Sequence, residues 1–164
     1  MNNQARSISS NQEGVHEDLL KQVAKYKRST FKRPIADHTQ AAFDQVLIYL
    51  EGWEGELILD ACCGVGESTI KIAAQYPNAK VIGIDKSIAR LGKHNSYKRQ
   101  KPSTNYLLIQ ADLNDFWRLL SAHIENKSPA WTLLKQYILY PNPYPKKSQL
   151  SKRWHASAIF PFVV

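Results

Sequence analysis

The sequence predicts an α/β domain with a doubly wound, mostly parallel, Rossmann-like sheet, of which four strands are visible. Apolar runs of strand length alternate with segments of helical spacing, as they do in βαβ units. Three of these runs are followed by an aspartate, namely Asp60, Asp85 and Asp112, and the first leads into Gly64 and Gly66. Ligands of open α/β sheets bind at the carboxyl ends of the strands. These residues therefore predict a ligand site at one edge of the sheet.

The first 36 residues are predicted to form a basic, flexible arm that precedes a domain over residues 37–164. The arm begins with a polar stretch without periodicity, and a few apolar residues then indicate one short helix: Leu19, Leu20 and Val23. The domain opens with a helix for which Asp37 or Thr39 is a suitable cap. Its apolar residues follow the spacing of a face that packs on a sheet: Phe43, Val46, Leu47 and Leu50.

The first strand, residues 57–60, runs into a glycine loop and then into a helix indicated by Ile70, Ala73 and Ala74. Glycines in such a loop allow positive φ, and the N–H groups of the following helix point at whatever binds there. Cys62 and Cys63 lie in this loop as neighbours. Two adjacent cysteines supply neither a disulfide framework nor a four-ligand metal site, so we expect reduced thiols and no metal.

Charge indicates which nucleotide the loop binds. A dinucleotide would bring its pyrophosphate to this turn, where the carboxylate of Asp60 would repel it. S-adenosylmethionine brings an ammonium and a sulfonium group, which suit an aspartate. Thr69 also stands where the dinucleotide pattern G-x-G-x-x-G has its third glycine. The loop therefore predicts S-adenosylmethionine as cofactor, with an ordinary glycine turn as the alternative.

The second strand, residues 80–84, ends at Asp85. Its distance from the glycine loop is that of a βαβ unit in which an acid accepts hydrogen bonds from the two ribose hydroxyls of an adenosine cofactor. Alternatively, Asp85 caps the next helix, for which Ser87 is the other candidate. Within that helix, Ile88 and Leu91 are expected to face the sheet.

The third strand, residues 105–109, is followed by Asp112, which is placed to accept a hydrogen bond from the adenine amino group. The backbone near Leu113 would serve the adenine ring nitrogen. Asp112 is equally suited to cap the amphipathic helix that begins after it, which contains Leu113, Phe116, Trp117, Leu120 and Ile124. The fourth strand is predicted over residues 136–140, after a polar connection over residues 125–130. It runs into three alternating prolines, which form a stiff loop.

Charge distribution points to a polyanionic partner. The formal net charge is +8, and neither residues 86–101 nor the stretch after Glu125 contains an acidic residue. Such basic stretches favour nucleic acid, a solvated basic face being the alternative. No run approaches the roughly 20 apolar residues that span a bilayer, and the start of the chain is polar. We therefore expect a cytoplasmic protein without a membrane partner.

These features together resemble the bacterial tRNA (guanine-N7)-methyltransferase family, over roughly residues 39–162. The most specific part of the resemblance is the segment Tyr140-Pro141-Asn142-Pro143-Tyr144-Pro145-Lys146-Lys147, with Lys152-Arg153-Trp154-His155 after it. The family has the class I methyltransferase fold, binds S-adenosylmethionine and methylates a guanine in the tRNA variable loop. The resemblance implies a cofactor site of Asp60, Cys62, Gly64, Gly66, Asp85, Asp112 and Leu113. It implies that tRNA contacts Asn142, Tyr144, Lys146, Lys147, Lys152, Arg153 and His155.

Three positions differ from the family pattern. The family usually has aspartate and tryptophan where this chain has Asn142 and Tyr144, and glycine where it has Cys62. Guanine N7 carries a lone pair and no proton, so its methylation needs no general base. The amide of Asn142 can donate to guanine O6 and leave N7 free, and Tyr144 can stack on the base. These two residues are therefore the expected catalytic pair.

The four visible strands are fewer than the seven of a complete class I methyltransferase sheet. The sequence ends in an apolar run, residues 159–164, which suggests either a missing C-terminal segment or a homodimer. Two other functions stay open: an inactive RNA-binding homologue, and a methyltransferase that acts on amino or amide nitrogens through an Asn-Pro-Tyr loop. An NAD-dependent oxidoreductase is a distant further alternative.

Overall fold

A computed structural model describes residues 14–29, 31–98, 103–139, 141–142 and 144–163. The chain divides into two compact units. One unit is Pro34–Pro141, which contains the sheet, and the other joins residues from Met1–Arg33 and Asn142–Val164. The described residues do not include residues 1–13 of the predicted arm. They also do not include Tyr140 and Pro143 of residues 140–147, which we call the proline segment.

The sheet has four parallel strands in the order β3-β2-β1-β4: β1 (Glu56–Ala61), β2 (Ala79–Asp85), β3 (Tyr106–Gln110) and β4 (Thr132–Ile138). The register places Asp60 of β1 beside Gly83 of β2 and Tyr137 of β4. Because all four strands run in the same direction, their carboxyl ends meet at one edge, as the sequence predicts. The predicted α/β, Rossmann-like fold is confirmed.

The helices of the sheet unit are α2 (Asp37–Tyr49), α3 (Glu67–Gln75), α4 (Ile88–Leu91), α5 (Asn95–Lys98) and α6 (Leu113–Lys127). α2 and α6 pack together through Phe43 and Phe116, whose rings meet edge to face at 5.4 Å. α3 packs through Ile72 and Ala73 on strand residues that include Ile58. β1 and β2 are buried along almost their whole length, which is typical of the central strands of a parallel sheet.

The second unit contains α1 (Leu19–Lys27), which the sequence predicts, and three short 3₁₀ helices, Lys147–Lys152, Trp154–Ala156 and Phe160–Phe162. α1 contacts the second and third of these 3₁₀ helices. The buried residues of this unit come from the C-terminal stretch: Leu150, Ala156 and Ile159. Gln22 of α1 also donates a hydrogen bond from Nε2 to the carbonyl oxygen of Ala156.

Some predicted details of the helices are wrong. Neither Asp37 nor Thr39 caps α2: Ala36 stands at the N-cap position, and the hydroxyl of Thr39 accepts from the N–H of Asp112 instead. In α3, Ala74 was expected to be buried but is exposed, and Ile72 is buried instead. Ile88 is 64% exposed, because α4 consists of only one turn and does not place this side chain against the sheet.

The fourth strand is also displaced from its predicted position. β4 begins at Thr132 and ends at Ile138, whereas the prediction was residues 136–140. α6 continues to Lys127, so the connection is shorter than expected. The strand is set by its parallel register with β1, from Glu56 beside Thr132 to Ala61 beside Ile138, and not by the apolar run at its end.

Candidate functional site

Asp60, the next-to-last residue of β1, is an almost fully buried carboxylate, 1% exposed. Its Oδ2 accepts hydrogen bonds from the hydroxyls of Ser68, at 2.6 Å, and Thr69, at 2.7 Å. Its Oδ1 is buried and has no hydrogen-bond partner within the described part of the chain. Burial raises the pKa of Asp60, and the two hydroxyl hydrogen bonds oppose this rise. A buried acceptor without a partner is rare in proteins, and this one suits a cationic or amino group of a ligand.

The loop after Asp60 takes its shape from three residues with positive φ: Cys62 at 61°, Gly64 at 63° and Gly66 at 79°. A Cβ added to Gly64 would meet no atom of the described residues within 4 Å, so these residues leave open space beside this part of the loop. A Cβ on Gly66 would instead collide with His94 and Leu108. Gly66 therefore allows close packing, and Gly64 leaves room for a ligand against the backbone.

The two cysteines of the loop are free thiols, as predicted. Cys63 is buried, and burial raises the pKa of its thiol to about 12, so it is a neutral packing residue. Cys62 is exposed and adopts a left-handed backbone conformation that a residue with a side chain rarely adopts. This strain lies within the predicted cofactor loop.

Replacing Cys62 with glycine should therefore stabilise the fold. Relief of the left-handed strain is worth about 1–2 kcal/mol, and the greater freedom of the unfolded chain removes part of it, which leaves a net gain of about 0.5–1 kcal/mol. Thermal denaturation of Cys62→Gly and Cys62→Ala measures the difference. The alanine variant removes the thiol but keeps the strain, so a glycine variant no more stable than it would contradict the prediction.

Asp85, at the end of β2, is 3% exposed. Its carboxylate connects the glycine loop after β1 to the turn after β2. Its Oδ2 accepts from the N–H of Gly64 at 3.0 Å and from Nη1 of Arg90 at 3.2 Å. Its Oδ1 accepts from the N–H of Ser87 at 2.8 Å. The cap of α4 is Ser87, whose hydroxyl accepts from the N–H of Arg90. Asp85 thus faces the glycine loop, and its contact with a ribose stays a prediction.

Asp112 caps α6: its Oδ1 accepts from the N–H groups of Asn114, at 2.8 Å, and Asp115, at 3.4 Å. One of the two predicted roles of Asp112 is thus confirmed, and the adenine contact stays a prediction. Leu113, the first residue of the helix, is buried. The sheet unit therefore holds all seven residues predicted for the cofactor site.

The residues predicted to face tRNA all lie in the second unit. Asn142 is exposed, and its Oδ1 accepts from the N–H of Tyr144 at 3.3 Å. Tyr144 has a positive φ of 41°, and its carbonyl oxygen accepts from Nε of Arg153 at 3.1 Å. The ammonium of Lys152 lies 5.9 Å from the centre of the Tyr144 ring. Asn142, Lys152 and Arg153 thus converge on Tyr144.

The remaining basic residues of this unit are exposed. Lys146, Lys147 and His155 face solvent, and Lys147 lies 3.9 Å from the carboxylate of Glu17. A cleft of about 570 Å³ lies between α1 and the 3₁₀ helix Lys147–Lys152. Its lining includes the basic residues Lys21, Lys25 and Lys147 and also the acidic residues Glu17 and Asp18. Such a surface can hold phosphate groups.

Several residues of the site were not predicted. Ser68 and Thr69 hold Asp60, Ser87 and Arg90 hold Asp85, and His94 lies beside Gly66, with its two ring nitrogens at the Val65 carbonyl and the Tyr106 hydroxyl. The hydroxyls of Ser68 and Thr69 follow the glycine loop directly, and this is a signal that the sequence offers. Arg90 and His94 carry no such signal, since only the turns after β2 bring them to the site.

Comparison with known proteins shows the family. The methyltransferase family model Methyltransf_4, that of the tRNA guanine-N7 methyltransferases, matches residues 54–160. The chain belongs to this family. The predicted resemblance is therefore confirmed, and S-adenosylmethionine is the cofactor consistent with it. Comparison with curated proteins finds no significant match.

Three solved structures are similar to this chain in part. Coclaurine N-methyltransferase, with bound SAH, is 17% identical over 62% of this chain and 39% of its own, with a TM-score of 0.35. Magnesium protoporphyrin IX methyltransferase from Synechocystis, with bound SAH, is 22% identical over 60% and 48%, with a TM-score of 0.31. A SAM-dependent methyltransferase from Anabaena variabilis is 17% identical over 98% and 61%, with a TM-score of 0.42. The chain spans 39% to 61% of the length of these structures.

Two further findings concern only the described residues. They include no helix with the length and apolar character needed to cross a membrane. They also include no cluster of three or more histidine, cysteine, aspartate or glutamate side chains arranged to hold a metal ion.

Proposed function

We propose that this chain is an S-adenosylmethionine-dependent tRNA (guanine-N7)-methyltransferase, which modifies a guanine of the variable loop. The observation that supports the proposal is a pair of buried carboxylates, those of Asp60 and Asp85, in a chain that belongs to this family. Asp60 has a buried oxygen without a partner among the described residues, and Asp85 is bonded to the N–H of Gly64. An ammonium group suits the first, and ribose hydroxyls suit the second. When bound, S-adenosylmethionine supplies an electrophilic methyl group.

The base would be held by residues of the proline segment. Guanine N7 has no proton to lose, so the side chains need only orient the base and exclude other poses, and proximity of this kind can contribute roughly 7 to 11 kcal/mol. The amide of Asn142 would donate to O6 while its Oδ1 accepts from the N–H of Tyr144. Tyr144, which Arg153 bonds through its carbonyl oxygen, would stack on the base.

The phosphates of the RNA would contact the exposed lysines of the same unit. Lys146, Lys147 and Lys152 are exposed, and Arg153 is half-buried. Contacts of this kind release counterions, so binding of tRNA should weaken steeply with salt. His155 is exposed beside them and would add a hydrogen bond rather than act as an acid or base.

The test is incubation of the purified chain with S-adenosylmethionine and unmodified tRNA, followed by nucleoside mass analysis. We expect 7-methylguanosine. Asp85→Ala should weaken cofactor binding by at least about tenfold, since two hydrogen bonds to a carboxylate are lost, and should abolish the product at limiting cofactor. Asp44→Ala, which removes an exposed carboxylate bonded by Gln40 on α2, is the matched control and should behave as wild type.

Other results would assign other functions. Methylated amino or amide nitrogens in place of 7-methylguanosine would favour the methyltransferase with an Asn-Pro-Tyr loop. Binding of tRNA with no methyl transfer and no cofactor binding would favour an RNA-binding homologue without activity.

A further inference from the structure

The carboxylate of Asp85 is already nearly saturated with hydrogen bonds. A carboxylate offers about four acceptor positions. Three donors occupy this one: the N–H of Gly64 and Nη1 of Arg90 on Oδ2, and the N–H of Ser87 on Oδ1. The two hydroxyls of a ribose require two positions. One of the present donors must therefore leave when an adenosine cofactor binds.

Arg90 is the donor that can leave. Gly64 and Ser87 donate from the backbone of turns that define the site, and Ser87 also caps α4. The side chain of Arg90 is 53% exposed, and its guanidinium reaches Asp85 across one short turn. Release would restore the water contacts of a guanidinium that is already half-exposed, while the carboxylate of Asp85, 3% exposed, stays buried. Two ribose hydroxyls can replace the guanidinium.

The displaced guanidinium would remain among other cations. Lys86 and Lys93 are exposed residues that lie on either side of Arg90 in the sequence, and residues 86–98 contain no acidic side chain. Once it leaves Asp85, Arg90 has no other carboxylate in its own segment. An anionic group such as an RNA phosphate is the partner of suitable charge.

We propose that Arg90 couples the two substrates: ribose displaces it from Asp85, and the released guanidinium then binds a phosphate of the RNA. This inference rests on the proposed function and adds to it a preferred order of binding of cofactor and RNA. Because the pair with Asp85 must otherwise be broken to bind phosphate, RNA should bind more tightly when the cofactor site is filled. By linkage, the cofactor should bind more tightly by the same factor when RNA is present.

The experiment measures the affinity of wild type and Arg90→Met for SAH by calorimetry, and for unmodified tRNA with and without saturating SAH. In wild type we expect SAH to tighten tRNA binding about two- to fivefold, the effect of one ion pair that is exposed on its arginine side. We also expect the salt dependence of tRNA binding to steepen by about one phosphate contact when SAH is present. In Arg90→Met, SAH itself should bind about two- to fivefold more tightly, and its effect on tRNA binding should vanish.

The matched control is Lys71→Met, which breaks an exposed ion pair with Glu67 on α3 and should keep the coupling. Weaker SAH binding by Arg90→Met would overturn the proposal, since Arg90 would then orient Asp85 and not compete with ribose. Equal tRNA affinities of wild type with and without SAH would also overturn it. Either outcome leaves the proposed function standing, because SAH still binds. Failure of wild type to bind SAH at all would overturn both.

Discussion

Asp60→Asn should abolish cofactor binding at working concentrations while leaving the protein folded. The amide can still accept from the hydroxyls of Ser68 and Thr69 on one side, but it presents no negative charge at the position of the buried Oδ1. Removing one partner of a buried charge pair costs about 2–5 kcal/mol, which corresponds to roughly 30- to 5,000-fold weaker binding of SAH. Calorimetric titration of both proteins measures it.

The stability of the same variant should change little, or increase. Wild type pays to bury a carboxylate with one unpaired oxygen, and the neutral amide removes that cost. We expect an unfolding free energy within about 1 kcal/mol of wild type, or above it. Asp44→Asn, on the surface of α2, is the control for the loss of one carboxylate. If Asp60→Asn failed to fold, the carboxylate would be structural, and its assignment to the cofactor site would be wrong.

The pH dependence separates the two roles of Asp60. Because burial raises the pKa of this group, the folded protein holds the proton more tightly than the unfolded chain, whose value is the ordinary 3.8. As pH falls from neutrality through the raised pKa towards 3.8, wild type should therefore gain stability relative to Asp60→Asn. Over the same range wild type should lose affinity for SAH, because the ionised form binds the ammonium. Parallel denaturation and titration series on both proteins check these opposite slopes.

The carboxyl edge of the sheet could be predicted because its residues are fixed by short-range rules. The spacing of Asp60, Gly64 and Gly66 determines a strand, a turn with positive φ and a helix, and the distance to Asp85 is that of the next strand of a βαβ unit. The structure brings these residues together through the hydrogen bond between Gly64 and Asp85. Local sequence was sufficient here, since neighbouring elements of the chain are also neighbours in space.

The fourth strand and the partners of the carboxylates depend on long-range packing. β4 pairs with β1, which lies far before it in the sequence, so its limits follow that register and not the apolar run that suggested them. Arg90 reaches Asp85 only because Ser87 caps a single turn and turns the chain back. Ile88 is exposed for the same reason. No periodicity in the sequence encodes these effects.

Thr69 departs from the dinucleotide pattern and still packs closely on the sheet. In the dinucleotide pattern the third glycine lets the helix approach the neighbouring strand closely, and here Thr69 stands in its place. In this chain the space for close packing comes from a glycine on the neighbouring strand and not from the helix. A Cβ on Gly83 of β2 would collide with Oγ1 of Thr69 and with Cδ2 of Leu108. Gly83 therefore allows Thr69 to pack against the strand and to donate to Asp60 at 2.7 Å.

Gly83→Ala should consequently damage both the fold and the site. Overpacking of a close-packed core costs about 1–3 kcal/mol, and the displaced Thr69 hydroxyl would no longer hold Asp60. We expect a lower melting temperature and weaker SAH binding, with Gly92→Ala as the control, since Gly92 is exposed at the end of α4 and its φ of −61° suits alanine. Adding Thr69→Ala to Gly83→Ala should recover part of the stability, because one of the two colliding side chains is gone while that of Leu108 remains. It should leave SAH binding weak, because Asp60 still lacks that hydroxyl. Recovery of binding together with stability would show that Thr69 only fills space, whereas stability that returns without binding assigns the hydroxyl of Thr69 to the orientation of Asp60.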